Sequence, residues 1–366
     1  MTKSKLIRNL IYLLVVVVVV YSTMIIFGDF KKNLKDIGQF KWWVLAPALI
    51  LILINFLIRE LKWDFFRRQA GIDVPRKGSW LIYFSGFSMC ISPGRIGELI
   101  KPFLLKDIYN APYSKSVPLV FCERLTDLLG MIFLCIVTMP IYLKSAQNSA
   151  AAVEGGASGF LSMRSQLIIY LLVAAVFMIA LIGMVRWRKF VYGCLNLMQR
   201  MLPEKISGKI TEKISNLYES TFSLLTARNL LLMTMLAVFS WLWEILGVWV
   251  IGYGFGVNEV ATFANIVFMF CIASIIGGFF FFLPGGLGGF EGSIMWLLAM
   301  IGLTGAQVFI FMLRVCTLFY GAAVGFIVLF YTSRIFHKNL LADLEQMEQG
   351  IEADDSSTGQ STASET

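Results

Sequence analysis

Charge is scarce in this sequence: 15% of its residues are Asp, Glu, Lys or Arg, against about a quarter in an ordinary soluble domain. Histidine is scarcer. The single one, His337, follows the last apolar run, so no Ser/His/Asp or Cys/His catalytic set can be assembled and no metal-ligand set is legible. No G-x-x-x-x-G-K-[ST] segment occurs, which removes the usual phosphate cradle for ATP. Cys90, Cys122, Cys135, Cys194, Cys271 and Cys316 include no close pair and fall mostly in apolar runs. They read as small buried hydrophobes, neither a disulfide frame nor a metal site. Lys3, Lys5 and Arg8 precede an apolar run as they would in a signal peptide, but no small-residue cleavage site follows before Asp29. An uncleaved first helix is expected. These absences point away from an enzyme and imply no cofactor.

What fills the chain is hydrocarbon. Hydrophobic residues make up 58% of the 366 and mean hydropathy is +0.75. Nearly uncharged runs lie at about 10–27, 42–58, 117–143, 166–185, 230–252, 262–283 and 307–333. Each approaches or exceeds the roughly 17–20 residues that cross a hydrocarbon core as helix. In lipid every backbone polar group must be satisfied within the segment, which selects helices. The expected fold is an all-α polytopic membrane protein.

Seven of the 23 acidic residues crowd into 343–366, where no Lys or Arg occurs, leaving 16 acidic against 31 basic residues in the rest. Loops 59–78 and 186–228 are rich in Lys and Arg and belong in the cytoplasm with the N-terminus, while 144–165 reads as external. Loop 28–41, with Lys31, Lys32, Lys35 and Lys41, fits this arrangement poorly. Within 186–228, Trp187, Val191, Cys194, Met198 and Met201 recur at helical spacing opposite Arg and Lys. Such a segment either lies on the membrane surface or packs as an amphipathic linker on the bundle. The domain reading is one transmembrane domain over 1–338, with repeat halves at about 42–143 and 230–333, and an acidic disordered cytoplasmic tail over 339–366.

Two glycine-proline breaks interrupt the apolar runs. Ser92, Pro93, Gly94, Arg95, Ile96, Gly97 and Glu98 form the first; Pro284, Gly285, Gly286, Leu287, Gly288, Gly289, Phe290 and Glu291 form the second. Each reads Pro-Gly-x-aliphatic-Gly and then Glu, and each is followed by an arginine inside an apolar helix, Arg124 or Arg314. The offset between the two copies is about 191 residues, an internal repeat. If 79–106 dips in from the cytoplasm and 262–303 from outside, the repeat is inverted, and its site lies where the interrupted helices meet near the midplane. The run 262–283 is, however, long enough to span by itself. In the first break Ser92 suits a helix cap and Pro93 the first helical position, and a buried helix start attracts phosphate. The alternative is a pair of kinks that serve only packing.

Glu123, Arg124 and Asp127 interrupt one apolar helix, Arg314 another, and Glu244 sits between Trp243 and Ile245. Each such charge costs about 2.5–3.5 kcal/mol in the bilayer and calls for a partner. Arg124 with Glu98 and Arg314 with Glu291 would make structural pairs. Arg95, Arg124, Arg314 and Lys101 together suit an anionic ligand, since guanidinium forks match phosphate oxygens.

Taken together, Pro-Gly-Arg-Ile-Gly-Glu at 93–98, Glu-Arg-Leu-x-Asp at 123–127, Pro-Gly-Gly-Leu-Gly-x-x-Glu at 284–291 and the late Arg314 resemble the flippase-like transmembrane region of lysylphosphatidylglycerol synthases. The resemblance covers about 10–333. It implies translocation of an anionic, modified or polyprenyl-linked lipid between leaflets of a bacterial inner membrane. Only a short acidic stretch follows Arg334, so aminoacylation by that family's synthase domain is not expected. On this reading Arg95, Lys101, Arg124 and Arg314 hold the headgroup, while Glu98, Glu123, Asp127 and Glu291 set the charge balance. The alternatives are an intramembrane enzyme on a lipid-linked substrate, or a non-catalytic partner in a lipid-linked glycan or lipid modification pathway. The implied partners are a membrane lipid and a lipid- or glycosyltransferase; nucleic acid is not among them.

Overall fold

The computed structural model describes residues 30–92, 97–151, 204–280 and 283–336, with scattered helical positions between 165 and 192. The first apolar run, most of 166–185, the tail, and Pro93, Gly94, Arg95 and Ile96 lie outside the described residues. Among the described residues the regular structure is all helical, with no strand. The fold is an all-α polytopic membrane bundle.

After α1 (Phe30–Gln39), α2 spans Leu45–Gln69, α3 Arg76–Ser85, α4 Ile100–Tyr109, α5 Tyr113–Ala151, α6 Glu204–Leu224, α7 Ala227–Gly254, α8 Phe263–Phe279, α9 Gly289–Met300, α10 Gln307–Arg314 and α11 Tyr320–Ile335. Local chemistry sets several ends. Thr226 and Thr262 cap α7 and α8 by accepting the amides of Asn229 and Asn265, each at 3.3 Å. α4 stops at Asn110, whose φ of 55° is a left-handed value that Asn tolerates, and Pro112 bars its continuation.

Among the described residues, four helices are long and apolar enough to cross a membrane: Trp42–Gln69, Tyr113–Ser149, Ala227–Gly254 and Gln307–Ile335. The expected run at 262–283 is not among them. It holds α8, with 17 residues, and the break that follows leads into α9, with 12, or about 26 Å and 18 Å of helix. They pack on each other across the second break. α3 and α4, ten residues each, are likewise too short to cross. The second break is a turn between two short helices, the form expected of a re-entrant segment, and the first lies between α3 and α4 with Pro93–Ile96 outside the described residues. At the first break, α4 starts at Ile100 behind a 3-10 turn at Gly97. Ser92 does not cap it; the hydroxyl donates to Met89 O at 2.8 Å and accepts the Gly97 amide at 2.9 Å. The start expected at Pro93 lies outside the described residues.

The segment 59–78, expected as a loop, is largely helix. α2 runs unbroken to Gln69 and buries Arg59, Glu60, Lys62, Asp64 and Arg67. Counting charges marked the membrane boundary too early, because charges with partners on neighbouring helices need not leave the bundle. Asp64 accepts from Arg67 Nη2 at 2.7 Å and Arg76 Nη1 at 2.8 Å, and Arg76 Nη2 reaches Glu60 at 3.2 Å. This network ties the end of α2 to the start of α3. α2 and α7 pack along their length and run antiparallel, with Asn229 Nδ2 donating to Gln69 Oε1 at 2.9 Å at one end and the Lys41 amide to Gly254 O at 3.3 Å at the other. α8 packs into α5 and α9, and α11 into α3. Lys144, expected in the external loop, is within α5.

Candidate lipid headgroup site

The buried charges of α2, α4 and α5 meet in one cluster. Arg59 and Lys62, three apart on α2, share a face. Arg59 Nη2 lies 3.1 Å from Asp127 Oδ2 and 3.6 Å from Glu123 Oε1. Lys62 pairs with Asp127 and donates to Glu123 O at 3.2 Å. From α4, Lys101 Nζ lies 2.6 Å from Glu123 Oε2 and stands over the rings of Trp63 and Tyr83. Arg124 binds Glu98 through Nε at 2.9 Å and Glu123 through Nη2 at 3.0 Å, with Nη1 3.7 Å from Asp127. Four cations thus meet three anions. Glu123 and Asp127 each have cations on both carboxylate oxygens or beside them.

The second break builds a matching pair. Glu291 accepts the Gly288 amide at 2.7 Å, closing the start of α9, and its other oxygen holds Arg314 Nε at 2.6 Å. The Arg314 guanidinium also lies 3.9 Å from the centre of the Phe290 ring. In both halves the glutamate of the break is ion-paired with the Nε of the following helical arginine, as a hydrogen bond at Glu291 and by proximity at Glu98. Directly after Arg314 the helix widens to a π-turn, Val315–Phe319, a local irregularity common at functional sites.

Both halves face one cavity of about 800 Å³. Arg59, Glu98, Lys101, Arg124 and Asp127 line it from the first half, and Glu244, Gly285 and Arg314 from the second. Its remaining wall is mostly apolar, with Phe56, Phe87, Leu128, Met131, Phe270 and Phe290. Leu99 and Phe279, both exposed, line it as well, so the cavity reaches the surface beside the two breaks. Five buried donors on this wall make no hydrogen bond among the described residues: Arg314 Nη2, Tyr83 Oη, Trp241 Nε1, Arg59 Nε and Arg124 Nε, the last only ion-paired to Glu98. A buried donor left unpaired costs about 1–3 kcal/mol. Gathered around one cavity, such donors are available to acceptor oxygens.

The family model of the lysylphosphatidylglycerol synthase TM region matches residues 9–325. The chain belongs to that family. It is also 23% identical over 309 residues to a UPF0104 membrane protein of Methanothermobacter thermautotrophicus, covering 80% of this chain and 84% of that one. No solved structure matches.

Of the residues expected at the site, Glu98, Lys101, Arg124, Asp127 and Arg314 line the cavity, and Glu123 and Glu291 lie behind them as anchors. Arg95 lies outside the described residues. Gly97 is tight, since a β-carbon there would strike the Met89 carbonyl oxygen. Gly288 has open space instead but holds φ at +83°, so strain rather than close approach is what selects glycine. Arg59, Lys62, Tyr83 and Trp241 were not expected. The signal for the first two was present: no Gly or Pro interrupts 48–70, so the apolar helix had no reason to stop at 58.

Proposed function

We propose that this family member is a lipid translocator of the cytoplasmic (inner) membrane, with both termini in the cytoplasm, passing an anionic headgroup between leaflets through the cavity. The observation that carries this reading is the convergence of unpaired buried donors, Arg314 Nη2 foremost, on a cavity whose other walls are apolar. Phosphate oxygens fit the donors and hydrocarbon fits the walls. The clustered ion pairs then serve as an exchange network: a phosphate at Arg124 or Arg314 takes the place of Glu98 or Glu291 as a chosen partner, at little net loss of hydrogen bonding. Engagement of Glu123 and Asp127 by cations supports a transporter over an enzyme. A lipid- or glycosyltransferase that supplies or consumes the lipid is the partner this reading implies.

The test is leaflet-resolved. Purified protein is placed in liposomes carrying a trace of fluorescent phosphatidylglycerol or of its choline counterpart, and an impermeant quencher reports the outer leaflet. The anionic probe is expected to equilibrate at least about tenfold faster than the choline probe, one charge-assisted hydrogen bond being worth enough for that ratio. Rates equal to those of protein-free liposomes would overturn the proposal.

A further inference from the structure

One buried carboxylate stands apart from the others at the cavity. Glu98, Glu123, Asp127 and Glu291 each have a cation within 4 Å. Glu244, in the middle of α7 and 6% exposed, has none among the described residues. Its partner is Asn55 of α2, whose Nδ2 donates to Glu244 Oε2 at 2.6 Å. Asn55 is fully buried, and its Oδ1 has no partner among the described residues. This pairing suits two states. With Glu244 ionised, the amide donates to it; with Glu244 protonated, the amide turns over and Oδ1 accepts the new O–H. A residue that satisfies a carboxyl in either form is what an exchangeable proton site requires.

Position supports the same function. Asn55 and Glu244 are 189 residues apart, close to the 190 that separate Arg124 from Arg314. They therefore hold nearly matching places in the two halves, and a contact between matching places lies near the axis that relates the halves. In an inverted repeat that axis runs through the membrane midplane, where coupling ions bind. The charged and titratable groups facing Glu244 are Arg59 from α2, Asp127 from α5, Arg314 from α10 and Cys271 from α8. Glu259, in the turn after α7, lies beyond the helix end, about 15 Å or more along the axis.

We propose that Glu244 binds a proton that travels with the anionic headgroup, one proton for each negative charge. This rests on the translocation reading above. The four cations and three anions of the cluster leave one positive charge, which Glu244 balances across the cavity. An incoming phosphate takes that positive charge for itself and leaves the buried carboxylate uncompensated, a cost that protonation removes. The proton adds to a Glu244 carboxylate oxygen as the headgroup enters, and the same O–H bond breaks when the headgroup leaves on the other side. No other bond changes.

Two measurements test this on the full-length protein. The first is an infrared titration of detergent-purified protein: a protonated-carboxyl stretch that grows as pH falls, absent from Glu244→Gln and displaced in Asn55→Leu, is expected. The second imposes a pH gradient on proteoliposomes carrying fluorescent phosphatidylglycerol. Wild type should concentrate the probe in the leaflet on the alkaline side, approaching about tenfold per pH unit for one-to-one coupling. Glu244→Gln should lose that response whatever its downhill rate. An unchanged infrared band in Glu244→Gln, or a retained response to the gradient, overturns the proposal. Wild type that moves the probe without regard to the gradient also overturns it and leaves translocation standing. If no lipid moves at all, translocation fails, and the infrared titration still decides whether Glu244 exchanges a proton.

Discussion

Arg124 reaches Glu98, Glu123 and Asp127, whereas Arg314 holds Glu291 through Nε and leaves Nη2 unpaired toward the cavity. The two arginines match in the sequence pattern but carry different structural loads. Removing one partner from a buried pair costs about 3–5 kcal/mol because the other charge is stranded. Lysine keeps the charge and loses the fork. Arg314→Lys should therefore stay folded, with an unchanged size-exclusion profile, while translocation of fluorescent phosphatidylglycerol falls about tenfold, the worth of a lost charge-assisted hydrogen bond. Arg124→Lys cannot serve three carboxylates and should lose thermal stability as well as transport. Normal transport by a folded Arg314→Lys would leave that residue only a point-charge role. The glutamate partners of both arginines were legible as candidate pairs because a membrane charge needs a partner. The orphan donors were not, since an unpaired Nη2 or indole N–H is a matter of side-chain packing.

The breaks work as elements because backbone meets backbone there. At Gly286, with φ of 69°, a β-carbon would sit 2.6 Å from the Gly277 carbonyl oxygen. At Gly288 an alanine would be strained by φ alone, a cost of about 1–2 kcal/mol. Alanine at Gly286 should thus lower the apparent melting temperature in detergent more than alanine at Gly288, and both should lower it; the reverse order would mean that α8 and α9 do not meet as described. The two breaks, their glutamates and the half-length of α9 were legible from Gly, Pro and spacing. The true reach of α2 was not, because hydropathy treats a buried ion network and a watery loop alike. Arg59 and Lys62 therefore read as loop charges in the sequence.

At the scale of the molecule, the repeat offset led to the expectation that two distant arginines share a site, and both line the same cavity. What no local pattern carried was the pairing of α2 with α7, which brings Asn55 to Glu244 and Arg59 to within 5.1 Å of the Trp241 ring centre. Orientation is checked by single cysteines in a cysteine-free background: Lys77 should react with an impermeant thiol reagent from the cytoplasmic side. External labelling there would invert the arrangement.

On the translocation reading one cavity, lined from both halves, receives an anionic headgroup. Phosphatidylglycerol bearing a photoreactive group on its headgroup, crosslinked to the reconstituted protein and mapped by mass spectrometry, tests it most directly. Adducts are expected on cavity residues of both halves, Leu128 and Met131 from one and Phe290 and Leu318 from the other, and should be competed away by unlabelled phosphatidylglycerol. Adducts confined to outward-facing residues such as Ile136 and Phe330, with none in the cavity, would contradict it.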